Sequence, residues 1–152
     1  MMRVVLGVVA GFVAWPIIWV AIEKVLSAIW PEWYGAHQLA FTAAIKNGGQ
    51  FSADTTVLNL QIVCASVVSA MSGFLAALIA RENRRAPLIV GVLLMAFGVL
   101  KAVMSWPHVP ILYHVIFTAL LLPMTIAGGK MKAVARQWSR VIGCRLALRD
   151  LD

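Results

Sequence analysis

Residues 55–105 read TTVLNLQIVCASVVSAMSGFLAALIA, then RENRRA, then PLIVGVLLMAFGVLKAVMS. Two apolar runs flank the short turn Arg81-Glu82-Asn83-Arg84-Arg85, in which only Asn83 is uncharged. A helix rises about 1.5 Å per residue, so about 20 residues cross the roughly 30 Å hydrocarbon layer of a bilayer. Both runs meet that length, and a polar turn between them returns the chain through the same layer. The stretch is a membrane hairpin of two helices, with all backbone polar groups satisfied inside each helix.

Outward from the hairpin, two more stretches have the same character. The four expected spanning helices are 4–29, 55–80, 87–105 and 110–127. The whole chain has 152 residues, 62% hydrophobic and 12% charged, with a mean hydropathy of +0.89. A soluble domain carries about 25% charged residues, and one this short leaves too much surface wet to hide so much apolar material. The expected fold is an all-α membrane protein, a four-transmembrane-helix bundle in one domain of residues 1–130, with a basic tail at 131–152. The Val4–Ile22 run exceeds the apolar core of a signal peptide, about 7–15 residues. Leu26-Ser27-Ala28 is a poor cleavage site, so the first helix reads as retained.

Local residues mark the helix ends. Asp54 is a candidate N-cap, and Pro87 and Pro110 suit first turns. Gly128-Gly129 followed by Lys130 reads as the end of the fourth helix. Pro16 and Pro123 fall inside helices, where they are expected to kink them. Residues 31–54 form the long loop. Within it Ala36 to Lys46 reads as a short interfacial helix, attended by Trp30, Trp33, Tyr34, Phe41 and Phe51 at headgroup level.

The net charge is +7. The basic residues flank apolar segments rather than forming a stripe on a soluble face, which argues against nucleic acid as the partner. Of the 13 lysines and arginines, only Lys24, Lys46 and Lys101 fall on the side of the long loop. Cationic residues stay cytoplasmic in short loops, so both chain ends are expected in the cytoplasm. In the tail, Lys132, Arg136 and Arg140 share one face while Val134, Trp138, Val141 and Ile142 share another. This is the pattern of an amphipathic helix held by anionic lipid, ending near Gly143.

Small residues suggest how the helices meet. Gly7 and Gly11 form a GxxxG in the first helix, and Ser69, Gly73 and Ala77 recur every four residues in the second. The two stripes can pack on each other or on a second copy of the chain. Cys64 and Cys144 fall on opposite sides of the bilayer middle, too far apart for a disulfide, and no CxxC is present.

Ionisable groups inside a membrane are costly and often functional. Glu23, Asn59, Gln61, Lys101, His108 and His114 converge on the end of the bundle that carries the long loop. One reading is a polar pocket with Glu23 and Lys101 paired at its base and histidines as titratable groups. The other is simple snorkelling of long side chains to the interface. His108 and His114 lack the i,i+4 spacing of a helical zinc pair, so no metal and no cofactor are expected.

Val9-Ala10-Gly11 through Trp19 and Glu23 to Trp30-Pro31 forms one signature. Met104-Ser105-Trp106-Pro107-His108-Val109-Pro110, with Leu121-Leu122-Pro123 and Gly128-Gly129, forms another. Together they resemble a group of small four-helix bacterial inner-membrane proteins with no assigned activity, over most of residues 4–130. The resemblance implies a bacterial source and four helices, and it carries no chemistry. Small multidrug exporters place a glutamate nearer the middle of the first helix, and glutathione-linked membrane enzymes need Arg, Asn and Glu on a helix face, so both fit badly. With no nucleophile–base pair to read, the expectation is a non-enzymatic structural or accessory membrane component. The alternative is a small transporter or ligand-binding protein, working as a homo-oligomer, that uses the polar cluster.

Overall fold

The computed structural model describes residues 1–47, 51–106 and 109–149, with the side chains of 132–149 excepted. Among the described residues every regular element is helical. The order is α1 (Met2–Ile29), a π-helical turn (Pro31–Gly35), α2 (Ala36–Asn47), α3 (Thr55–Ala80), α4 (Arg85–Met104) and α5 (Ile111–Arg149). Met2–Ile29, Thr55–Ala80, Arg85–Met104 and Ile111–Met131 are each long and apolar enough to cross a membrane. The protein is a multi-pass membrane protein built as an all-α bundle.

Chemistry at the helix ends explains the boundaries. The Asp54 carboxylate accepts the Thr56 backbone N–H at 2.7 Å and caps α3. At the other end of α3, Arg81 turns the chain in the left-handed region, with φ 56°. The Glu82 carboxylate then accepts the backbone N–H groups of Arg84 and Arg85. It thereby satisfies donors that the first turn of α4 leaves open. Pro87 sits in that same turn, where its missing N–H removes no helical bond.

Helix α3 is the hub, since α1 and α5 both pack on it and both also touch α4. Its small residues divide between two partners. Gly7 and Gly11 of α1 lie against Ser72, Ala76 and Ala80. The Ser72 hydroxyl donates to the Gly11 carbonyl at 2.9 Å, and the Trp15 indole donates to the Ser69 hydroxyl at 3.0 Å. Gly73 instead meets the backbone of Thr125 on α5, and Gly128 of α5 meets the backbone of Ala70. The expected Ser69–Gly73–Ala77 stripe is therefore split, with Ser69 serving α1 and Gly73 serving α5. A central helix must offer close approach on two sides, and residues four apart drift around its axis.

Gly128-Gly129 does not end the last helix. Helix α5 runs through both, and through Gly143, to Arg149. The glycines serve packing instead, because a side chain at 128 would strike Ala70 and one at 129 would strike Pro87. Lys132, Arg136, Trp138 and Arg140 belong to the helical tail, and their side chains lie outside the described residues.

Candidate functional site

The close approach of the helices gives way, beyond Trp15, to bulky rings. Trp15 and Trp19 lie one helical turn apart on α1, stacked with centroids 5.4 Å apart and planes 3° from parallel. Phe97 of α4 meets Trp15 edge-on at 6.0 Å, and Phe117 of α5 meets Trp19 edge-on at 6.1 Å. Aromatic pairs prefer such offset and edge-to-face contacts, and rings of this size hold backbones apart. Above them the helices enclose a partly open cavity of 320 Å³, lined by residues of all four spanning helices and α2.

The i, i+4, i+8 series Trp15, Trp19, Glu23 runs up one face of α1 into the cavity. Glu23 is half-buried, with the Trp19 indole within hydrogen-bonding reach and Lys101 and Lys24 acting on it electrostatically. Lys101 lines the same cavity from α4, one turn beyond Phe97, and is largely exposed. Among the described residues no ion-pair contact joins Glu23 to Lys101.

A chain of neutral donors and acceptors ties the helices together beside this pair. The Tyr113 hydroxyl donates to Gln61 Oε1 at 3.0 Å, and Gln38 Nε2 donates to the Tyr34 hydroxyl at 3.1 Å. Gln61 also lies within hydrogen-bonding reach of Tyr34, which is 1% exposed. Burial pushes the Tyr34 hydroxyl above its ordinary range, so it stays protonated as a donor.

Helix α2 is clasped over this end by Asp54. The Trp33 indole donates to Asp54 Oδ2 at 2.9 Å, and the Asp54 backbone N–H donates to His37 Nε2 at 3.2 Å. Those bonds from Trp33 and Thr56 hold the Asp54 carboxyl below the usual carboxylate range. An accepting Nε2 carries no proton, so neutral His37 is protonated on Nδ1. Burial holds His37 below its ordinary range, against the opposing pull of the Asp54 carboxylate. His37 meets Phe51 edge-on at 4.9 Å, and Phe51 in turn meets Phe41. Two enclosed nitrogens in the cavity walls, His37 Nδ1 and His114 Nε2, have no hydrogen-bond partner.

Of the residues singled out in the sequence, Glu23, Gln61, Lys101 and His114 all line this cavity. Asn59 does not: it is exposed on α3, two residues from Gln61 and so turned away by the helical step. His108 lies outside the described residues. The base of the pocket is aromatic, formed by Trp15, Phe97 and Phe117, and is not a Glu23–Lys101 pair. Tyr34, Phe41 and Phe51 face inward, whereas Trp30 and Trp33 remain exposed. Tyr113 and Gln38 complete the site without a sequence argument having found them, and His37, a histidine expected at the same end of the bundle, joins them. The signal for Tyr113 was its place one turn before Phe117 on α5. Among the described residues no three His, Cys, Asp or Glu side chains gather as a metal site. No family model, curated protein or solved structure matches the chain.

Proposed function

We propose that this chain is a non-enzymatic binding protein of a bacterial inner membrane, taking a small amphiphilic molecule into the cavity beneath α2. The observation that carries the reading is the cavity itself: 320 Å³, aromatic at its base, with polar groups converging from every spanning helix. Ligand sites have this make-up, mostly apolar walls with a few placed polar groups. A purely structural bundle has no use for such a void, because cavities forfeit packing contacts. The sorting of lysine and arginine supports an extracytoplasmic mouth, with both chain ends in the cytoplasm.

Two experiments test this. Amphiphiles with a single aromatic ring, added to detergent-purified protein, are expected to raise the melting temperature and shift tryptophan emission. Replacing Phe97 with Trp fills the base and is expected to abolish both responses. A broad set of such compounds without any response would defeat the proposal. An alkaline phosphatase fused after Lys130 is expected to be inactive, and an active fusion would reverse the orientation.

A further inference from the structure

We infer that the cavity receives a zwitterion with an apolar body, its ammonium group on Glu23 and its acidic group on Lys101. The inference rests on the binding reading above and names the ligand's chemistry. Glu23 and Lys101 enter one cavity from two helices that touch each other. They act on each other electrostatically and yet make no ion-pair contact among the described residues. A carboxylate half withdrawn from water is costly when no opposite charge touches it, and Lys101, itself exposed, stands at the same opening out of contact with Glu23.

Three kinds of ligand leave at least one of the two charges unmatched. A simple cation satisfies Glu23 and faces Lys101. A simple anion satisfies Lys101 and faces Glu23. A neutral molecule satisfies neither. A molecule carrying both charges bridges the gap, keeps the net charge of the occupied site unchanged, and makes charge-assisted hydrogen bonds at both ends.

The aromatic base supplies the rest. Trp19 is within hydrogen-bonding reach of the Glu23 carboxylate, so an ammonium group at Glu23 also lies close to an indole ring. Beneath it, Trp15, Phe97 and Phe117 offer an apolar bed. A volume of 320 Å³ is near the lower limit for ligand cavities. It suits one ring or a short chain together with its charged end. The same chemistry has two sources: a free amino-acid-like zwitterion, or a lipid headgroup carrying ammonium and phosphate with its acyl chains outside.

The test uses the full chain in detergent micelles at pH 7.5, read by tryptophan emission and thermal denaturation. L-phenylalanine, 2-phenylethylamine and 3-phenylpropionate share one apolar body and differ only in charge. Dihexanoyl phosphatidylethanolamine and dihexanoyl phosphatidylglycerol form the lipid arm. A zwitterion of one source or the other is expected to bind about tenfold more tightly than its singly charged counterparts, the effect of one charge-assisted contact. Which zwitterion binds better identifies the source.

Glu23→Gln is expected to weaken the zwitterion and 2-phenylethylamine about tenfold while sparing 3-phenylpropionate. Lys101→Gln is expected to weaken the zwitterion and 3-phenylpropionate while sparing the amine, and Lys101→Arg to restore binding. Size-exclusion profiles show whether each variant still folds. If 2-phenylethylamine or 3-phenylpropionate binds as tightly as L-phenylalanine, and phosphatidylglycerol as tightly as phosphatidylethanolamine, the zwitterion assignment fails while the binding reading stands. If none of the five probes binds, both fail.

Discussion

Toward the Arg81 turn, Gly128 lies against the backbone of Ala70 and Gly7 against that of Ala76. Toward α2, the same helices stand off from one another behind Trp15, Trp19, Phe97 and Phe117. Lipid tails give helices no hydrophobic reason to associate, so adhesion comes from contact area and interhelical hydrogen bonds. The tight half supplies both, through glycine, alanine and serine. The open half gives up contact and gains a cavity. One end holds the bundle together so that the other end is free to stay apart. Trp15 stands at the boundary, its indole bonded to Ser69 in the tight half and its ring forming the base of the cavity.

The sharpest way to break this contrast is to add bulk to the tight half. Gly128→Leu is expected to prevent accumulation of folded protein, since even a Cβ there collides with the Ala70 carbonyl. The cost of forcing α3 and α5 apart is about 3 kcal/mol or more, read as loss of the monodisperse peak in size-exclusion chromatography. Trp15→Phe keeps a ring and deletes the bond to Ser69. About 1 kcal/mol of stability should go with it, measured as a lower melting temperature.

The clasp over the open half is expected to respond to pH. His37 titrates lower in the folded chain than when unfolded, because burial favours its neutral form. Between the two values the unfolded chain binds more protons, so its stabilising contribution is complete above about 6.5 and is lost as pH falls below that. Asp54 adds a second loss, confined to pH below the ordinary carboxylate value of 3.8. A melting temperature that is flat from pH 7 to 8 and falls below 6.5 is expected. His37→Gln should flatten the fall, and a fall that persists in that variant would assign it elsewhere. The smallest effect is expected at Glu23. Glu23→Gln should change the stability by no more than about 0.5 kcal/mol, read from the melting temperature, because a half-exposed cavity wall tolerates what Gly128 does not.

The same contrast explains what could be read in advance. Spanning helices follow from the length of apolar runs, and the α3 cap follows from Asp54, because both are local properties. Glu23, Gln61, Lys101 and His114 could be gathered by counting residues along four rods, which places them at one depth. Depth is not azimuth, and so Asn59 was gathered with them although it turns outward. The role of Gly128-Gly129 was hidden for a related reason. A glycine pair reads as a helix stop until Ala70 and Pro87 are known to lie against it. Tyr34 and His37 depend on the π-helical turn at Pro31–Gly35, which swings α2 back over the bundle, and the sequence carries no periodic mark of that turn.

Helix α5 joins these two regions in one unbroken piece. Tyr113, His114 and Phe117 near its start form part of the cavity wall, and the helix runs for 39 residues from Ile111 to Arg149, about 58 Å at helical rise. Roughly half of that length exceeds the hydrocarbon thickness. Such a rod is a lever with its fulcrum at the Gly73 and Gly128 contacts. A tilt of about 5° about Gly128 carries the Arg149 end, roughly 30 Å away, through about 3 Å, so a displacement of the cavity wall is carried to the opposite face of the membrane.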